Sequence, residues 1–494
     1  MKIDAAGSGA SPESAECRRE CREPMRGGFR CRPETFKGGA MLKSFLRYVH
    51  RHQSVQLIAV GVIVFLMGTF VLSSCKGQPA LHNPRKSEEN QLKIRVAIVS
   101  HGRNIKIQSV DPFRIYRLEA DSPAVQDAPY KITNLSVINA SPEGIMIGSL
   151  NVPLAACRIV PREGAAITVY EVQENNKERK YYGNLFLYKN DRDNTVDVVN
   201  EVGLEDYLAG VLGREVSSAW PVEALKTQAV ASRTRVLYQR EAARAANQRF
   251  DVQTDTRDQV YGGVPEGKDA EKLFQAVRST AGQVLTYNGK IFNIYFASTC
   301  GGMTENASRV FKDNDHPPGG IECPYCAQSP VFEWTHRAPK ADIRTRIQNH
   351  TTDNVGDIVS ITGINTDKAG HAEQIEVKHT NGVTVFPDAN KFRTTVLERG
   401  IVQFLGKDGQ WHSSSEDPKH GEFIMSTSFT VTIEGDMIIS HGRGWGHAVG
   451  MCQFGALGMT EQGKSYREIL NFYYPGTQIA ENYHLGVLNA PKAP

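Results

Sequence analysis

Between residues 202 and 246 the hydrophobic period of this chain switches from two to that of a helix, and the switch constrains the fold more than any other feature. Ahead of it, from 92 to about 198, apolar residues come in short β-branched and aromatic runs. Ile94-Arg95-Val96-Ala97-Ile98-Val99, Ala166-Ile167-Thr168-Val169-Tyr170 and Leu185-Phe186-Leu187-Tyr188 are three of them. Asn, Asp, Gly and Pro break the runs, as expected of antiparallel strands. In the switched stretch Pro221 suits a first helical position and Glu223 a first turn, while Val222, Leu225, Ala229, Ser232 and Val236 follow helical spacing. Strands return at Val284-Leu285-Thr286-Tyr287 and at 291–297, with Asn288-Gly289 between them as a hairpin signal. Short strands such as Ile375-Glu376-Val377 and Phe429-Thr430-Val431-Thr432-Ile433 fill about 358–439, and a helix follows near 465–473. The pattern predicts an α+β protein, a helical core with β-rich N-terminal and inserted segments.

The start of the chain predicts the compartment. Residues 1–40 lack apolar periodicity and read as disordered, or as a preface to the true start at Met41. Lys43, Arg47 and Arg51 then precede an apolar run over 57–72, the layout of a secretory signal. Sixteen residues at about 1.5 Å each span roughly 24 Å, short for a hydrocarbon core of about 30 Å. The run ends in Leu72-Ser73-Ser74-Cys75, which resembles the bacterial lipoprotein cleavage box. That resemblance implies a product lipidated on Cys75 and tethered by 76–91; the alternative is an uncleaved anchor helix. Both place the remainder in the cell envelope, outside the cytoplasm and attached to the membrane. Length divided by about 150 residues per domain allows about three domains. With 57 basic against 54 acidic residues, the basic footprint that phosphate recognition requires is missing, so no nucleic-acid partner is expected.

Four blocks carry the chemistry. The first is Leu204-Glu205-Asp206-Tyr207-Leu208-Ala209-Gly210-Val211-Leu212-Gly213-Arg214-Glu215-Val216, continued by Trp220-Pro221-Val222-Glu223-Ala224-Leu225-Lys226-Thr227-Gln228-Ala229-Val230-Ala231-Ser232-Arg233-Thr234. The second runs from Asp255-Thr256 to Gln259-Val260-Tyr261-Gly262-Gly263, and the third is Tyr295-Phe296-Ala297-Ser298-Thr299-Cys300-Gly301-Gly302-Met303-Thr304-Glu305. The fourth is Gly442-Arg443-Gly444-Trp445-Gly446-His447-Ala448-Val449-Gly450-Met451-Cys452-Gln453-Phe454-Gly455-Ala456, followed by Tyr473-Tyr474-Pro475-Gly476. In this order they resemble the stage II sporulation protein D / LytB family of peptidoglycan-acting proteins, over roughly 92–480. The boundaries that follow are 1–40, a leader at 41–75, a tether at 76–91, a β-rich region at 92–198, a catalytic domain at 199–480 with a β-rich insertion at about 340–440, and a tail at 481–494.

The resemblance implies a lytic transglycosylase that cleaves glycan strands stripped of stem peptides, with Glu215 as its acid. The residues themselves fit that role. Glu215 reads as lying just ahead of a helix, and Val216 and Trp220 offer an apolar wall that would raise its pKa. The bare spacing equally allows a surface carboxylate near a helix N-terminus. Within the blocks that carry the resemblance, Lys226, Gln228, Arg233, Tyr261, Gly301, Gly302, Thr304, Trp445, His447 and Gln453 are the candidate substrate contacts. Read alone, each has a plainer use: Lys226 and Arg233 as helical-face charges, Gln228 and Tyr261 as partners of buried backbone, Trp445 as core and His447 as a hydrogen-bonded structural residue. The paired glycines Gly262-Gly263 and Gly301-Gly302 mark positive φ or close backbone approach, as at a groove floor. Glu205 and Asp206 read as helix-start charges. The LytB branch implies a second class, a non-catalytic glycan binder that enhances an N-acetylmuramoyl-L-alanine amidase.

Cysteines leave a separate choice open. Cys323-Pro324-Tyr325-Cys326 has metal-ligand spacing, and Cys300 and Cys452 stand inside motifs where the family carries small polar residues. Together they suit a structural tetrahedral zinc, with His316, His441 or His447 able to replace one ligand, although no cofactor is required for the chemistry. An oxidising compartment equally allows a disulfide, for example from Cys300 to Cys323 or Cys326, and free thiols are the third alternative. Cys157 reads as a buried residue of the β-rich region.

Overall fold

The computed structural model describes residues 92–118, 130–171, 177–254, 258–397, 401–405, 410–413 and 425–483. The leader, Cys75, the tether, Asp255-Thr256 and the end of the tail lie outside the described residues. Among those described, no helix is long and apolar enough to cross a membrane.

Helices and strands mix as an α+β protein. The N-terminal part is an eleven-stranded sheet built from strands between Lys93 and Gly203, with Val252–Gln253 added at one edge. Alternation decides which side is buried: in strand Lys93–Gly102, Ile94 and Val96 are fully buried while Arg95 turns to the Asp251 carboxylate. Cys157 lies buried in strand Ala156–Pro161, where desolvation pushes its thiol up to about 12.

The last strand, Thr195–Gly203, runs without a loop into helix α1 (Leu204–Glu215), and the Leu204 N–H donates to the Leu92 carbonyl at 2.8 Å. Helix α2 (Val222–Ala245) follows, and Pro221 stands as its N-cap, one residue earlier than expected. Its two sides belong to different cores. Leu225, Ala229, Val236 and Leu237 pack with the large sheet and α1. Val230 and Ala231 join the C-terminal part of the chain and its cysteines. A helix buried on both sides explains the long run of small residues in α2.

Helix α3 (Ala270–Arg278) packs on α1 and α2, and α4 (Ala307–Val310) is one short turn. The inserted β-rich module has its own core, from Val331 to Ile438. It holds a five-stranded and a three-stranded sheet, with α5 (Lys340–Asn349) and α6 (Ala389–Thr395). Strand Glu333–Pro339 pairs antiparallel with Met437–Arg443 and closes the module a few residues outside the expected 340–440. The C-terminal helices are α7 (Gln453–Glu461) and α8 (Tyr466–Tyr473), the latter started by a capping box between Ser465 and Glu468.

The expected hairpin at Asn288-Gly289 forms its turn and little more. Both turn residues have positive φ and Tyr287 bridges Lys290, but residues 291–295 form no strand. Val284–Thr286 pairs instead with Gln478–Ala480, and Phe296–Ala297 with Met451–Cys452.

Candidate functional site

Glu215 is the last residue of α1, not a residue ahead of a helix. At that end the unpaired carbonyls carry partial negative charge, so the helix disfavours its carboxylate rather than stabilising it. Burial is the larger effect and raises the carboxyl above its ordinary range; the Val260 N–H, the Arg235 guanidinium and the Gln453 side chain pull it back down. The Val260 N–H donates to Oε1 at 3.1 Å. Val216 is buried beside it, and the Trp220 ring meets Phe454 edge-on at 5.3 Å.

Gln453 arrives from far along the chain, as the first residue of α7. Its amide donates to Gln228 Oε1 at 3.3 Å, and Gln228 donates to Ser232 Oγ at 3.1 Å. Glu215, Gln228 and Gln453 are therefore brought together. Arg235 completes the group and was not among the expected residues. It donates to the Ile294 carbonyl at 3.0 Å and lies 5.8 Å from the Tyr295 ring centre. It stands one position beyond the sequence block around Arg233, on a different side of α2.

Several expected sugar contacts are engaged inside the fold. Arg233 is fully buried and forks onto Glu205 at 2.6 and 3.1 Å, with further bonds to Thr280 and the Val277 and Gln283 carbonyls. It is a structural cation, and Glu205 is its partner. Tyr261 is buried between Tyr181 and Tyr207, its hydroxyl donating to Asn200 at 3.0 Å. Thr304 is buried and exchanges hydrogen bonds with the backbone of Ile321. Trp445 packs against the core of the inserted module. Lys226 pairs with Glu223 at 2.7 Å, on the rim beside the Tyr466 ring. Gly302 has φ 115° and open space where a Cβ would stand, whereas Gly301 lies against the backbone of Arg443. Gly263, with positive φ, faces the Lys180 carbonyl and Gly262 the Arg214 side chain, and both line a separate cavity of about 480 Å³. His447 Nδ1 accepts from the Val449 N–H at 3.0 Å; burial, followed by Arg393, Arg235 and His316, pushes the imidazole down to about 3 and keeps it neutral.

Cys300, Cys323, Cys326 and Cys452 converge, all buried, with their sulfurs within 4.8 Å of one another. None is in a disulfide. A tetrahedral zinc with bonds of about 2.3 Å would set sulfurs about 3.8 Å apart; Cys300 and Cys326 are 3.7 Å apart, so the thiols fit the ion. The histidines weighed as substitutes point elsewhere: His316 to the Pro317 carbonyl, His441 to Thr335. Beside this cluster His371, of the inserted module, bridges Asp367 (2.9 Å) and the Cys300 carbonyl (3.1 Å). Glu305 joins Asp367, and burial together with that neighbour pushes its carboxyl up to about 8.

Comparison with known proteins agrees with this layout. A family profile described as Stage II sporulation protein matches residues 192–287, which contain α1, α2 and Glu215. An uncharacterized protein of Brachyspira hyodysenteriae is 33% identical over 401 residues, covering 79% of this chain and 94% of its own length. Stage II sporulation protein D of Bacillus subtilis is 30% identical over 296 residues, 57% of this chain and 76% of that protein. The amidase enhancer of the same organism is 27% identical over 300 residues, 55% of this chain and 40% of the enhancer. With the carboxyl at the end of α1 and a relative matched over most of its length, the chain belongs to the stage II sporulation protein D family.

Proposed function

We propose that the chain cleaves cell-wall glycan strands by a lytic transglycosylase mechanism, with Glu215 first as acid and then as base. The observation that carries this reading is the raised pKa of Glu215 at the carbonyl end of α1. Cleaving a glycosidic bond requires a proton on the leaving oxygen, and a desolvated carboxyl holds one to higher pH. The resulting carboxylate takes the proton of the sugar's own 6-hydroxyl as that oxygen attacks the anomeric carbon, leaving a 1,6-anhydro end. Hydrolases place a second carboxylate about 5–5.5 or about 6.5–9.5 Å away; this route needs none. Arg235 stabilises the carboxylate formed after the first transfer, and Gln453 orients it.

The substrate in this reading is peptide-stripped peptidoglycan outside the cytoplasm, with the chain held at the membrane through lipidated Cys75 or an uncleaved 57–72 segment. Zinc belongs to the same proposal as a structural ion held by Cys300, Cys323, Cys326 and Cys452. When bound it would cross-link the loop after Gly302 to the start of α7, and no step of the reaction passes through it.

The test incubates the purified protein and its Glu215→Gln variant with intact and amidase-denuded peptidoglycan, reading products by mass spectrometry. Anhydro-muramyl ends from the unmodified chain alone are the expected result. Reducing ends would overturn the transglycosylase route, and cleavage by the variant would remove Glu215 as the acid. The relative named amidase enhancer favours a second reading, in which the chain binds glycan and presents it to an N-acetylmuramoyl-L-alanine amidase. Retained glycan binding and amidase stimulation without cleavage would select it.

A further inference from the structure

A cavity of about 330 Å³ lies between the core and the inserted module, and the reaction at Glu215 does not use it. Its size falls in the range of small-ligand sites, about 300–1,000 Å³. The core contributes Glu305, Phe311 and His447 to its wall; the inserted module contributes Glu373, Asn390 and Thr427.

Phe311 is the central observation. It is one of the few large apolar side chains left exposed among the described residues, at 36%. It is nevertheless held in place, stacked on Tyr295 with ring centres 4.5 Å apart and 17° between planes. The His447 ring meets it edge-on at 4.9 Å. A ring clamped this way presents a fixed flat surface at small entropic cost.

The backbone of the core wall is strained beside both rings. Nine described non-glycine residues have positive φ, and seven are Asn or His, types that visit this region readily. The other two are Lys312, which follows Phe311, and Ala448, which follows His447. Such conformations persist where surrounding structure holds them, and they cluster at ligand sites.

Charge narrows the ligand class. Each rim cation has a carboxyl of the wall beside it, Arg309 with Glu305 at 3.2 Å and Lys312 with Glu373 at 3.0 Å. Beside these groups the wall offers a flat apolar face, the Asn390 amide, the Thr427 hydroxyl, the His447 imidazole and the Asp388 carboxylate, all able to meet sugar hydroxyls. That set suits a sugar, which has one C–H face and a rim of hydroxyl and acetamido groups. Position narrows it further: Tyr295, beneath Phe311, is also the ring that Arg235 overlies, and Arg235 is the cation beside Glu215.

We propose that this cavity binds an N-acetylhexosamine unit of the glycan, away from the bond that is cleaved, with Phe311 as its stacking surface. The proposal rests on the glycan-acting reading above. Its test measures binding of an N-acetylglucosamine hexamer to the full chain by calorimetry, which needs no turnover. Phe311→Ala is expected to weaken binding about five- to tenfold, with a melting temperature lowered by only a few degrees through the lost Tyr295 stacking. Phe311→Tyr, which keeps the flat ring, is expected to retain the affinity, and Thr427→Val supplies a second variant expected to weaken it. Equal affinity in Phe311→Ala and the unmodified chain, or no hexamer binding at all, overturns the proposal. Retained, Phe311-dependent binding without anhydro products overturns the cleavage reading alone.

Discussion

At the scale of single residues, Arg235 is the charge that, after the Val260 N–H, holds the Glu215 carboxyl down against burial. Removing that cation leaves burial opposed only by the Val260 and Gln453 hydrogen bonds. Because the proposed first step needs Glu215 protonated, Arg235→Met is expected to move the high-pH limb of the rate profile upward. A limb that stays put would separate Arg235 from the acid. Glu305 offers a stability readout with a defined sign. Its carboxyl is pushed up to about 8 against an ordinary 4.5, so the folded chain holds a proton that the unfolded chain releases between those values. Stability from this group is present below about 4.5 and is lost as pH rises toward about 8. Glu305→Gln is expected to flatten the melting temperature across that window. Glu215 and the four cysteines were legible because each sits in a local motif. Arg235, Asp367 and His371 were not, since their meaning comes from partners brought close only by folding, such as the Cys300 carbonyl reached by His371.

At the scale of elements, α1 and α2 are locked by one ion pair. Glu205→Gln leaves the fully buried Arg233 guanidinium without its charge partner, and the expected loss is about 1.5–3 kcal/mol in urea unfolding. A loss under about 0.5 kcal/mol would mean the carbonyls of Val277 and Gln283 suffice. Helix α8 depends on its cap: Ser465→Ala is expected to cost about 1 kcal/mol, read by the same measurement. Helix α2 was visible in the sequence because period and start signals are local, whereas α1 was marked only at its start by Glu205 and Asp206, and its run to Glu215 was not. Strand partners were not. Val284–Thr286 pairs with a strand almost two hundred residues away, and nothing between its own neighbours encodes that choice.

At the scale of the whole molecule, the four cysteines tie the segment around Cys300 to Cys323, Cys326 and the start of α7. One zinc per chain is the expected metal content of the purified protein, and Cys326→Ser or chelation is expected to lower the melting temperature by more than about 5 °C. An unchanged melting temperature in the metal-free chain would leave the thiols as plain core residues. The inserted module tells a different story about how such a chain arises. Its first and last strands face each other, Glu333 opposite Arg443, so entry and exit are one ladder rung apart, about 5 Å. A segment whose ends nearly touch can be lengthened or exchanged like a cassette at that doorway, provided the replacement keeps the contact that His371 makes with the Cys300 carbonyl.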